Sequence, residues 1–207
     1  MSELYVKICG LKTPDSVTAS IEAGANALGF IFAPGSARTI HATDAARLIE
    51  NVPEGVETVG VFRNQPVDHV LEMATESGVT TIQLHGDEPY RDLKTCEAAG
   101  FKTFKAFSAF DYAHLGPDAK HDFRDERILL DAVEPGAGLT FDAGVLQGNF
   151  PVGFWLLAGG LTPQNVGSLI RELSPTGVDV SSGVESSRGV KDSDKIRAFI
   201  TAAREAN

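Results

Sequence analysis

Two residues of this chain have the type and the setting for acid–base chemistry. Asp131 ends the apolar run Ile128-Leu129-Leu130, so its carboxyl enters a partly dry cavity if that run is a buried strand. Burial of that kind raises a carboxyl pKa and suits a general acid, the competing reading being a helix cap. Cys9 ends the run Tyr5-Val6-Lys7-Ile8 and has the chemistry of a thiolate base. A lone cysteine at a strand end is more often a small core residue.

Neighbouring side chains sharpen both readings. Residues two apart on a strand share a face, so Lys7 accompanies Cys9 inward. A buried lysine needs a carboxylate partner, and Asp179 is the expected one. A cation so close is expected to lower the pKa of the thiol. Gln83 and His85 share a face in the same way, with His85 either a substrate contact or a core hydrogen-bonding group. Arg38 follows the loop segment 32–37. A guanidinium grips a carboxylate bidentately, although an isolated surface arginine is the commoner case. Arg38, His85 and Asp179 form the expected substrate-binding set.

Two glycine-bearing segments point to an anion. Gly159-Gly160 follows one apolar run, and Ser181-Ser182-Gly183 follows the next. Glycine lets the backbone approach a ligand, and free N–H groups at a helix start bind phosphate. One such pair reads equally as a tight turn; two on consecutive strands favour phosphate binding.

These residues need a scaffold that collects strand ends. Short apolar runs occur at 4–9, 27–32, 57–62, 80–84, 102–106, 127–131, 153–158 and 177–180, the composition of buried parallel strands. Helical patterns lie between them at 14–23, 43–50, 67–77, 87–99, 163–173 and 191–204. Thr13-Pro14 and Thr162-Pro163 read as N-caps followed by proline, and Gly24, Gly78 and Gly100 as C-terminal caps. The weak stretches are 108–122 and the one or two turns expected at 142–147. Eight such units predict an α/β fold closed as a single (β/α)8 TIM barrel, one domain over residues 1–207. An open doubly wound sheet is the alternative. In both, chemistry belongs at the carboxyl ends of the strands, where the polar and glycine residues gather, while the opposite ends look bland.

Composition narrows the partners. With 43% hydrophobic and 22% charged residues the chain reads as an ordinary globular protein, and no apolar run is long enough to span a membrane. A formal net charge of −10 argues against nucleic acid or an anionic membrane as partner. It leaves room for an anionic small molecule held by local cations. The two cysteines, far apart, form no disulfide framework, and no CxxC or Cys/His cluster suggests zinc, so no metal is expected. The first ten residues lack a basic segment followed by an apolar one, and a cytoplasmic location is expected. Monomer and homodimer are both compatible with the sequence.

The blocks Lys7-Ile8-Cys9-Gly10-Leu11, Gly29-Phe30-Ile31-Phe32 with Ser36 and Arg38, Gln83-Leu84-His85-Gly86, Leu129-Leu130-Asp131, Gly159-Gly160-Leu161-Thr162-Pro163 and Asp179-Val180-Ser181-Ser182-Gly183-Val184-Glu185 resemble the phosphoribosylanthranilate isomerase family. They run in family order from residue 6 to about residue 200. The resemblance implies conversion of N-(5-phosphoribosyl)anthranilate to 1-(2-carboxyphenylamino)-1-deoxyribulose 5-phosphate in tryptophan biosynthesis. That is an Amadori rearrangement needing neither metal nor nucleotide. It further implies Cys9 as general base, Asp131 as general acid and Arg38 beside the anthranilate carboxylate. The segment 136–143, Gly-Ala-Gly-Leu-Thr-Phe-Asp-Ala, departs from the family pattern by lacking its lysine and tryptophan, and Ala37 stands where proline is common.

The nearest rival is the histidine-pathway isomerase, whose substrate carries two phosphates. It calls for a second glycine-rich loop in the first half and an aspartate at the first strand end. Phe62-Arg63-Asn64-Gln65 and Cys9 supply neither. A non-catalytic sugar-phosphate binding module fits the acid–base pair less well. A purely structural protein gains no support from charge runs.

Overall fold

The computed structural model describes residues 3–131, 148 and 150–206. Eight parallel strands close into a barrel in chain order: β1 (Tyr5–Cys9), β2 (Ala27–Ile31), β3 (Glu57–Phe62), β4 (Thr81–Leu84), β5 (Lys102–Ser108), β6 (Ile128–Asp131), β7 (Trp155–Ala158) and β8 (Gly177–Val180). Register runs Lys7 to Ala27, Ala27 to Glu57, Val59 to Thr81, Leu129 to Leu156 and Leu156 to Gly177, and Lys7 meets Asp179 where β8 closes on β1. The closed barrel is as expected, and the open sheet is excluded.

The strands are buried on both faces, which is why they read as continuous apolar runs. One core lies inside the barrel and includes Ala27, Val59, Phe104, Leu129 and Leu156. A larger one lies between strands and helices. The helices are α1 (Pro14–Glu22), α2 (Ala42–Ile49), α3 (Val67–Ser77), α4 (Tyr90–Ala98), α5 (Ala109–Ala113), α6 (Pro117–Asp122), α7 (Val166–Leu173) and α8 (Ser193–Arg204). In α8, Ile196, Phe199, Ile200 and Ala203 recur at helical spacing and are the buried stripe. Thr13 caps α1 with Pro14 in the first turn, and Gly24, Gly78 and Gly100 take positive φ after their helices, all as expected.

Other expectations are corrected. Thr162-Pro163 does not start α7. The Asn165 side chain instead accepts from the Thr162 N–H at 2.7 Å and donates to the Gly160 carbonyl at 3.0 Å, which holds 160–165 as a turn and delays the helix to Val166. The helix expected from residue 87 begins at Tyr90, because Glu88 turns inward to accept from the Asn64 and Gly86 N–H groups at 2.6 and 2.8 Å and to pair with buried Lys105 at 3.0 Å. Lys191 belongs not to α8 but to a hairpin of β9 (Glu185–Ser187) and β10 (Val190–Lys191). The weak stretch 108–122 contains α5 and α6, with Pro117 at the start of the latter. The turns expected at 142–147 and the atypical segment 136–143 lie outside the described residues.

Nor is the amino-terminal mouth of the barrel bland. Arg127 forks onto Glu57 at 2.7 and 2.9 Å, and the hydroxyls of Tyr5 and Thr81 also donate to that carboxylate. The guanidinium stacks 3.8 Å from the Phe104 ring centre and 4.9 Å from that of Phe154. Burial alone would push Glu57 up, but Arg127 and the two hydroxyls hold it down at about 2.

Candidate active site

The carboxyl ends of the strands surround a cleft of about 1280 Å³. Its described lining includes Cys9, Arg38, His85, Asp131, Asp179 and the loops 159–161 and 181–183. Every residue expected at the site therefore borders one cavity. Arg63 and Arg188 border it too. Neither stands out in the sequence, because an exposed loop arginine has no periodicity to mark it. Together with Arg38 they set three guanidinium groups in a cleft that Asp131, Asp179 and Glu185 also line.

Cys9 sits at the end of β1, 5% exposed. Gly29 on β2 lies against it, since a Cβ there would stand 2.8 Å from Cys9 Sγ and 3.1 Å from Lys7 Nζ. Glycine at that position is what lets the thiol and the ammonium share the barrel interior. Lys7 is fully buried, and its Nζ donates to Asp179 Oδ1 at 2.9 Å, the pairing expected from strand alternation. Burial pulls the Lys7 pKa down, but Asp179 and the Cys9 sulphur outweigh it and keep the ammonium charged. Burial pushes the Cys9 thiol up, with Asp179 adding to the rise and Lys7 and Lys191 opposing it. Lys7 thus acts in the expected direction but does not win: the thiol stands above its ordinary value, not below it.

Asp131 ends β6 with its side chain 31% exposed, a half-buried group on the rim rather than a dry one. His85 Nε2 lies 3.5 Å from Asp131 Oδ2. On the other edge of the ring, Gln83 Nε2 meets His85 Nδ1 at 2.8 Å. With that amide nitrogen donating, the ring proton resides on Nε2 and faces Asp131. His85 therefore makes the expected hydrogen bond, to Gln83, and also borders the cleft. Gln83 Oε1 is buried and has no hydrogen-bond partner among the described residues.

Arg38 is not a free surface side chain. Its Nε and Nη2 donate to Glu185 Oε1 and Oε2 at 2.6 and 2.9 Å. Glu185, which also borders the cleft, and Lys191 beside it do not stand out in the sequence. Lys191 Nζ donates to Glu185 Oε1 at 2.9 Å and to the Ser181 carbonyl at 2.8 Å. Gly159 and Gly160 both take positive φ after β7, and Ser182–Val184 form a single 3-10 turn after β8. These two loops interlock, because a Cβ on Gly183 would stand 1.7 Å from the Leu161 carbonyl oxygen. Packing alone therefore requires glycine at 183, whatever the loop binds.

Residues 6–202 match the model of the N-(5′-phosphoribosyl)anthranilate isomerase family. The chain belongs to the phosphoribosylanthranilate isomerase family. A family relative from Geobacter metallireducens is 41% identical over 203 residues, covering 96% of this chain and 98% of the relative. The crystal structure of TrpF from Jonesia denitrificans superposes with a TM-score of 0.86 at 41% identity, covering 98% of each chain. A phosphoribosylanthranilate isomerase crystallised with reduced 1-(o-carboxyphenylamino)-1-deoxyribulose 5-phosphate gives a TM-score of 0.82 at 35% identity, covering 98% of this chain and 99% of that one. In this family member the whole described lining of the cleft comes from the carboxyl-end loops and strand termini.

Proposed function

We propose that this phosphoribosylanthranilate isomerase of tryptophan biosynthesis works by paired acid–base catalysis, with Asp131 as general acid and Cys9 as general base. The observation that carries this reading is that the two side chains, from β6 and β1, border one cleft together with Arg38 and the two glycine-bearing loops. The relative solved with a reduced carboxyphenylamino-deoxyribulose phosphate supports the same class of ligand here.

The chemistry assigns each group a task. Asp131 donates its proton to the furanose ring oxygen. The bond from that oxygen to C1′ breaks, and the nitrogen lone pair forms the C1′=N bond of a protonated Schiff base. The Cys9 thiolate takes the proton from C2′; the released electron pair forms C1′=C2′ and neutralises the nitrogen. The enolamine becomes the aminoketone when C1′ gains a proton and the C2′ hydroxyl loses one. Cys9 and Asp131 reset by passing one proton between them through solvent, so the cycle consumes nothing.

Gly159, Gly160, Ser181, Ser182 and Gly183 hold the phosphate through backbone N–H groups, as is common after strands seven and eight of this fold. Arg38 faces the anthranilate carboxylate. His85 orients Asp131, and Asp179 acts by holding Lys7 beside the thiol. The reaction runs in the cytoplasm without metal or organic cofactor. Each proton transfer by a placed group contributes ~10²–10⁴-fold. Cys9→Ala and Asp131→Asn are each expected to lose at least ~10²-fold in kcat and to fail to rescue a tryptophan auxotroph lacking this step. Near-normal turnover in either variant rejects the assignment.

A further inference from the structure

The acid–base chemistry makes no use of Glu185, yet donors converge on it from three sides. Oε1 accepts from Arg38 Nε at 2.6 Å and from Lys191 Nζ at 2.9 Å. Oε2 accepts from Arg38 Nη2 at 2.9 Å and from the Gly189 N–H at 3.0 Å. The backbone carbonyl of Glu185 accepts from Lys195 Nζ at 2.7 Å. The side chain is only 4% exposed, so this anion is held in one orientation.

What it holds is the plane of a guanidinium. Arg38 offers the side edge of its fork, Nε and Nη2, to Glu185. Its stem crosses Gly10, where a Cβ would stand 2.7 Å from Arg38 Cδ and where φ is +78°. The end edge, Nη1 with the second Nη2 hydrogen, has no partner among the described residues, and Arg38 borders the cleft. Two parallel N–H groups on that edge match a second carboxylate. Lys191 extends the arrangement, since the nitrogen that bonds Glu185 also donates to the Ser181 carbonyl on the strand-eight loop.

We propose that Glu185 is a positioning residue for substrate selection: it fixes Arg38 so that the free edge of the guanidinium receives the carboxylate on the aromatic ring, and it ties that grip to the β8 loop through Lys191. The proposal rests on the reading of Arg38 given under Proposed function. A lysine at 38, or an arginine without its anchor, keeps the charge but loses the direction.

Binding of two stable ligands tests it: the reduced carboxyphenylamino-deoxyribulose phosphate, and the same compound with a plain phenyl ring. Calorimetry compares wild type, Glu185→Gln, Arg38→Met and the double variant. Glu185→Gln is expected to weaken the carboxylate-bearing ligand by about 10-fold or more, the size of a lost charge-assisted hydrogen bond. The phenyl ligand should change by less than about 2-fold. In the Arg38→Met background the Glu185 substitution should add nothing. Equal weakening of both ligands, or a full Glu185 effect without Arg38, overturns the proposal. If Arg38→Met leaves the preference for the carboxylate intact, the reading of Arg38 falls and this inference with it. If Arg38→Met abolishes the preference while Glu185→Gln keeps it, only this inference falls. Should Glu185→Gln fold poorly, Glu185→Asp keeps the charge but shortens the reach, and the same selective loss is expected of it.

Discussion

Lys7 and Asp179 meet at 2.9 Å inside the barrel, on the two strands whose pairing closes the sheet. The ammonium shares its face of β1 with the Cys9 thiol, so one ion pair both joins the first strand to the last and sets the electrostatics of the proposed base.

That position gives a pH prediction. The thiol is held above its ordinary value by burial, against the pull of Lys7. Only the thiolate reacts with an alkylating agent, so the rate of Cys9 alkylation should rise with pH through neutrality, about tenfold per unit while the thiol remains protonated. Lys7→Met removes the opposing cation and leaves Asp179 unpaired; both changes push the thiol further up. The alkaline shift should appear both in the pH–rate profile and in the rate of Cys9 alkylation. An unchanged alkylation profile would show that Lys7 does not govern the thiol.

Gly29 should tolerate nothing larger. A methyl group there meets Cys9 Sγ at 2.8 Å and the Cys9 Cα at 3.0 Å, and the backbone atom cannot turn aside. Gly29→Ala is expected to cost about 1–3 kcal/mol in urea denaturation, the usual range for overpacking. It should also lower kcat through displacement of the thiol. A variant with native stability and turnover would show that β1 yields at this point.

At the other mouth, Arg127→Met should leave the Glu57 carboxylate buried without its fork. Removing one member of a buried pair costs about 3–5 kcal/mol, and the 25% exposure of the Arg127 side chain favours the lower end. The loss is expected in equilibrium unfolding, with kcat per folded molecule unchanged, because none of these groups reaches the cleft. A large fall in kcat would reveal coupling between the two mouths.

Glu57 and Glu185 are both held down at about 2. A carboxyl depressed on folding contributes stability that is complete above its unfolded value, near 4.5, and is lost as pH falls towards the folded value. Between those limits these two groups bind up to two more protons in the unfolded chain than in the folded one. Stability should therefore drop by up to about 2.7 kcal/mol per pH unit from these two groups. Denaturation midpoints from pH 5 to pH 2.5 check it, and Glu57→Gln should make the slope shallower by removing the Glu57 contribution, while those of Glu185, Glu88 and Glu97 remain.

The sequence shows some of this and conceals the rest for identifiable reasons. Strand periodicity and the order of apolar runs reveal the barrel, and once the strands are placed, Cys9, Asp131, Gly159 and Ser181 must gather at one end. Alternation alone leads from Cys9 to Lys7 and on to Asp179. Arg127 and Glu57 stay hidden because each lies at a strand start, 70 residues from the other, where charge normally means solvent. Glu185 and Lys191 stay hidden because a two-strand hairpin of three and two residues leaves no periodic trace beside a strong helix. Asn165 misleads because its side chain, rather than Thr162, organises the turn before α7.

The charged networks at the two mouths have no residue in common. Tyr5, Glu57, Thr81 and Arg127 brace one end; Lys7, Asp179, Arg38, Glu185 and Lys191 serve the other. Changes at well-separated groups without shared partners add independently. The loops at the reactive end can therefore be rewritten, by selection or by an engineer, while the staves stay fastened at their feet. A scaffold divided in this way can try a new substrate without first risking its own collapse.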